Sequence, residues 1–177
     1  MVCADNPTQI DAMTDHLKTI LTGQFEAALC MLKECIEKCP PEHWETKIAN
    51  DTFRQVAYHT LFYVDFYLSP SEAAFVWRDC HAKGGNERTS TEACVGLSKE
   101  ETLAYLADCR QKLQQTLAAE TAESLQGESG FSWLPFTRAE AHLYNIRHVQ
   151  HHTGQLSASL RKVVKATESW WVRRGWR

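Results

Sequence analysis

The chain has 177 residues, 44% hydrophobic and 23% charged, with a formal net charge of −3. That is enough for one domain with a sizeable core and little more. The acidic balance argues against a strongly cationic nucleic-acid binder, and no uninterrupted apolar run is long enough to span a bilayer.

The opening stretch, MVCADNPTQIDAMTDH, lacks the apolar core of a secretion signal, so a cytoplasmic location is expected. The seven cysteines are Cys3, Cys30, Cys35, Cys39, Cys80, Cys94 and Cys109. An odd number without a secretion signal reads as reduced thiols and not as a disulfide framework. None forms a C-x-x-C pair, which speaks against a zinc ribbon or a thioredoxin-like site. Cys35 and Cys39, i and i+4 at a helix end, read as two small semi-buried residues.

In chain order, the first helix is predicted from about Thr14 to Lys38. Leu17, Leu21, Phe25, Ala28, Leu32 and Cys35 recur at steps of three and four, and Pro40-Pro41 ends the run. The second helix is expected from about Asp51, as N-cap, to Leu68, stopped by Ser69-Pro70. Arg54, Tyr58 and Asp65 mark its outer side. A long link follows, Ser69–Leu97, with Gly84-Gly85 and Gly96; links of that length are uncommon and often functional. The third helix opens on Ser98-Lys99-Glu100-Glu101, a capping box, and runs to about Ala119. After a loop over Thr121–Pro135, a second capping box, Thr137-Arg138-Ala139-Glu140, opens a fourth helix that runs to about Lys165.

This pattern predicts an all-α chain, a four-helix bundle over residues 1–165. The long link is a crossover that lets helices two and three run parallel. Residues 166–177 form a tail containing Trp170, Trp171 and Trp176 with Arg173, Arg174 and Arg177. Such tracts can stack bases or sit at membrane surfaces. In so short a tail on an acidic chain, packing on the bundle or on a partner subunit is the expectation.

The fourth helix concentrates histidines: His148, His151 and His152 lie within five positions. Ala141, Asn145, Val149, Leu156, Leu160 and Val163 define its inner arc. At about 100° per residue, His152 falls inside that arc and His148 about 40° away, while His151 points mostly to water. On the second helix His59 falls among Val56, Tyr63 and Phe66, also inward. Buried imidazoles need hydrogen-bond partners, and one divalent metal supplies a partner for all three. An i, i+4 pair places two rings about 6 Å apart on one face, and a facing helix brings a third within reach. Three neutral ligands leave an open position on the ion, the arrangement of catalytic sites and not of closed structural ones. Such an ion acidifies a bound water or thiol. Asn145, one turn before His148, is a candidate to orient a ligand or substrate, or a core amide. Tyr63 and His151 are secondary candidates.

H-x-x-H-H-x-G-Q near the end of the fourth helix, with the inward His of QVAYHTLFYVDFYL, resembles the DinB/YfiT-like superfamily, from about Thr14 to Lys165. The resemblance implies a four-helix bundle with a long link between helices two and three. It implies metal ligands at His59, His148 and His152, with His151 outside the ligand set. Thr153 stands where many members have Arg, which removes a surface charge or a contact around the ligands without touching them. The resemblance further implies a homodimer and a metal, zinc or nickel, that binds and activates a low-molecular-weight thiol in S-transfer or isomerisation. Other members are described only as hydrolases or damage-inducible proteins.

The expected function is therefore a metal-dependent enzyme acting on a small-molecule substrate through an activated thiol or water. The alternative is a non-enzymatic stress-response or binding module whose surface is the Ser69–Leu97 link or the Trp/Arg tail. Nucleic-acid binding through WWVRRGWR is a weaker third reading.

Overall fold

A computed structural model describes residues 7–48, 50–84, 96–163 and 171–176. Helix α1, Pro7–Lys38, starts two turns before the predicted start at Thr14. Nothing between Pro7 and Thr14 breaks a helix, and a proline at the first helical position loses no bond. Leu21, Phe25, Leu32 and Cys35 are fully buried, so the stripe faces the core as expected. Cys35 and Cys39 are both buried outright, deeper than the sequence suggests, and burial pushes the Cys39 thiol up to about 11. Cys3 and Cys94 lie outside the described residues.

Pro40-Pro41 end α1, and a 3-10 turn follows at Pro41–His43. A two-residue ribbon, β1 Lys47–Ile48 against β2 Asp51–Thr52, leads into helix α2, Phe53–Leu68. The cap of α2 is Thr52 and not Asp51. Thr52 Oγ1 accepts from the Gln55 N–H at 3.2 Å, and Gln55 Oε1 accepts from the Thr52 N–H at 2.8 Å. That reciprocal pair satisfies two donors where a lone aspartate satisfies one.

The expected outer side of α2 is not outside. Tyr58 is 1% and Asp65 2% exposed, because the link after Leu68 folds back over them. Its short helix α3, Asp79–Gly84, comes so close that a Cβ on Gly84 would fall 2.1 Å from the Tyr58 ring. Asp65 survives burial because cations and donors replace water. Its Oδ1 accepts from Lys112 Nζ at 2.6 Å, and its Oδ2 accepts from Arg78 Nη2 at 2.5 Å and from the Tyr105 hydroxyl at 3.1 Å. His81 Nε2 lies 3.3 Å from the same oxygen.

Helix α4, Lys99–Ala119, begins at the Ser98–Glu101 capping box read from the sequence. The loop after it holds a short helix α5, Ala122–Gln126. Helix α6, Arg138–Val163, opens with Thr137 and Glu140 bonded reciprocally. Val163, placed on its inner arc by periodicity, is 47% exposed and lines an open groove with residues that follow α1. Residues 164 and 165, the expected end of that helix, lie outside the described residues. The long helices share one core: α1 and α2 each pack against both α4 and α6. No described helix is long and apolar enough to cross a membrane.

The start of α6 is tied to the end of α2. The buried Arg138 guanidinium donates to the carbonyls of Tyr67, Leu68 and Ser69, which have no intrahelical donor of their own. Its Nε donates to Glu120, which His142 also meets at 2.9 Å. Burial works against ionising Glu120, but hydrogen bonds from His142, Ser124 and Arg138 outweigh it and hold the carboxyl down to about 2. Burial likewise opposes the charge on Asp65, and its bonds to His81, Lys112 and Arg78 hold it well below the usual carboxylate range. Both carboxyls are therefore stronger acids folded than unfolded. Their contribution to stability is whole above the unfolded values of 4.5 for Glu120 and 3.8 for Asp65; that of Glu120 is lost as pH falls toward 2, and that of Asp65 at lower pH still. The urea midpoint is expected to drop most steeply over that interval, and Glu120→Gln to flatten the drop.

In the tail, Val172 packs against Ala27, Cys30 and Met31. The Gly175 N–H donates to the Gly23 carbonyl at 2.8 Å, and Arg110 lies 4.3 Å over the Trp176 ring. Trp176 thus packs on the bundle, while Trp171 stays exposed. Trp170 and Arg177 lie outside the described residues.

Candidate metal centre

Helices α2 and α6 are antiparallel neighbours: Tyr67 meets Tyr144 at one level, and His59 meets His148 and His152 at another. The three rings form a tight triangle, with centroids 5.3 Å apart for His59–His148, 4.7 Å for His59–His152 and 4.6 Å for His148–His152. One nitrogen from each lies within 4.8 Å of the other two. The Nε2 atoms of His59 and His148 are 3.4 Å apart. Two nitrogens bound at about 2.05 Å to one tetrahedral ion are separated by about 3.3 Å, so this edge of the triangle already has a metal site's dimension.

The protonation state of His148 suits a ligand. Burial, then the neighbouring His152, His59 and His151 rings, push His148 down to about 3, so it is neutral at pH 7. His152 Nδ1 lies 2.9 Å from Gln155 Oε1. The amide oxygen can only accept, so the ring proton sits on Nδ1 and Nε2 carries the lone pair that a metal would take. His148 Nδ1 is buried and makes no hydrogen bond among the described residues. Ring nitrogens that converge from three imidazoles, the His148 ring held unprotonated, are a poor arrangement for a dry core and a good one for a cation. All three rings are half-buried, which leaves an approach from solvent.

The other candidates fall around this triangle. His151 is exposed and meets Gln155 Nε2 at 3.3 Å, outside the triad as read from the helix angle. The Tyr63 ring packs at 4.9 Å on His59 and 5.4 Å on His148 and walls one side. Asn145 is fully buried, and its amide donates to the Val64 carbonyl, holding α6 on α2 one turn from the ligands. Thr153, expected to replace either a surface charge or a contact around the ligands, is 2% exposed: it packs toward α1, where its carbonyl lies 4.0 Å from Cys35 Sγ.

A family model described as the DinB superfamily matches residues 24–156. The chain belongs to the DinB superfamily. No curated protein and no solved structure matches it. In this DinB-superfamily chain the matched span contains all three histidines of the triangle.

Gln155 is the functional residue that sequence reading left without a role, although it stands in the quoted motif. Its signal was its spacing, three residues after His152 on the same helix face. Removing a group that orients a metal-bound histidine costs about 10–100-fold in affinity. Gln155→Ala is expected to lose that much in chelator competition, and Gln155→Glu, which keeps the acceptor, to lose little.

Proposed function

We propose that this chain is a metal-dependent enzyme built on a four-helix bundle with a long crossover. His59, His148 and His152 hold a divalent ion, zinc or nickel, that activates a low-molecular-weight thiol or a water for S-transfer or hydrolysis. The observation that carries this reading is the triangle of imidazoles, contributed by two facing helices and closed to within 4.8 Å. When bound, the ion supplies a Lewis-acid charge that lowers the pKa of a thiol or water. The chain does the rest. Gln155 fixes the His152 tautomer, the burial of His148 keeps its ring unprotonated, Tyr63 shields one flank, and Asn145 keeps the ligand helices in register. Three neutral donors add no negative charge, so the ion's full charge is directed at the incoming group.

A second reading, a binding module without chemistry, draws on the exposed Val76 and Trp77 of the link and on Trp171 of the tail. Metal content of tag-free protein, measured by mass spectrometry, separates the two. About one equivalent in the wild type, lost in His59→Ala and in His152→Ala, supports the enzyme. No ion in the wild type even after reconstitution makes the triangle a core feature and turns attention to the link and tail.

A further inference from the structure

A groove of about 730 Å³ opens between the link after α1 and the last turns of α6. That volume lies within the range of small-molecule pockets. Its position on α6 is not independent of the histidines. His148, His152, Gln155, Ser159 and Lys162 follow one another at steps of three and four, so they form one stripe. Gln155 belongs to both ends: it lines the groove and holds His152 Nδ1. Ser159, 8% exposed, and His43, 7% exposed, line the groove and bond to each other at 2.9 Å. Lys47 and Lys162 line it too, against the single carboxylate of Glu42. At 1.5 Å rise per residue, Ser159 lies about 10 Å and Lys162 about 15 Å along the helix from His152.

We propose that this groove receives the anionic end of an elongated substrate, a carboxylate carried roughly 10–15 Å from the atom that reacts at the metal. The proposal rests on the metal reading above. The lysines attract and hold the carboxylate, and the buried Ser159–His43 pair offers polar atoms to the same end of the ligand. Gln155 sits where the chain of such a molecule passes from the groove to the histidines. Substrate length is then the property that the protein selects.

A molecular ruler tests this. Protein loaded with cobalt(II) is titrated with ω-mercaptocarboxylates of three to twelve carbons and with the matching ω-mercaptoalcohols, and the thiolate–cobalt absorption band reports binding. The acids are expected to outbind their alcohols by about fivefold at low salt once the chain spans the gap, and by little when it is short. Exchanging Lys47→Met together with Lys162→Met should erase that advantage and leave 3-mercaptopropionate unaffected. An acid-to-alcohol ratio that ignores length, or that survives the lysine exchange, overturns the proposal. A second arm needs no metal: octanedioate is titrated into metal-free protein, and the amide resonances of residues 43, 159 and 162 are followed by NMR. Shifts there without a thiolate band at any length overturn the metal reading and support the groove. A thiolate band with a flat ratio and no shifts overturns the groove and supports the metal.

Discussion

Zinc at about one hundred times its dissociation constant is expected to stabilise the wild-type chain by about 2.7 kcal/mol and to leave His148→Ala unmoved. For a chain of this size that is a rise of about 5–10 °C in melting temperature, read by scanning calorimetry with and without the ion. The size of the effect follows from the separation of the ligands. His59 and His148 are 89 residues apart in sequence, so the unfolded chain holds no preformed triangle and binding acts almost wholly on the folded state. His148 is the informative position because its ring contacts both other ligands. It also carries a buried Nδ1 without a hydrogen-bond partner among the described residues. Alanine there loses packing but also removes an unsatisfied polar atom, and the two effects offset in the metal-free protein. The variant should therefore melt near the wild type without zinc. A variant that still gains several degrees from zinc rules out the triangle as the site.

Asp65→Ala is expected to cost about 3 kcal/mol, measured by urea unfolding, whereas a surface aspartate would cost almost nothing. The carboxylate is nearly inaccessible, and its removal takes away the buried acceptor that Arg78, Lys112 and the Tyr105 hydroxyl share, leaving Arg78 with Asp108, Lys112 with Ser69 and the Asp65 carbonyl, and Tyr105 with His81. Arg78 and Lys112 keep about a third of their side-chain surface in water, which holds the cost toward the lower end of the range for buried pairs. Lys112→Met in the Asp65→Ala background should recover part of the loss, and a double-mutant cycle isolates the pair. A cost below about 1 kcal/mol would mean that the network behaves as an exposed pair.

The same network shows where sequence reading stopped. Periodicity placed His148 and His152 together and His151 apart, because a helix angle depends only on spacing. The capping boxes at Ser98 and Thr137 were legible for the same reason, since both partners lie three residues apart. The burial of Tyr58 and Asp65 was not. Periodicity assigns a polar stripe to water unless something covers it, and here the cover is the link, whose Arg78 and His81 come from 13 and 16 residues further on. The sequence displays a charge but not the distant groups that neutralise it. The role of Gln155 was hidden differently: its neighbour was known, but the direction of its amide was not.

Arg138 has a consequence for cooperativity. One guanidinium holds three carbonyls at the end of α2 and the carboxylate that follows α4, from the first residue of α6. Freeing it would take a donor from all four acceptors at once, so neither end frays cheaply without the other. The helix that carries His59 and the helix that carries His148 and His152 are thus joined in a single unfolding unit. Local breathing that opens other parts of the surface is kept out of the strip of structure where the three imidazoles must hold their distances.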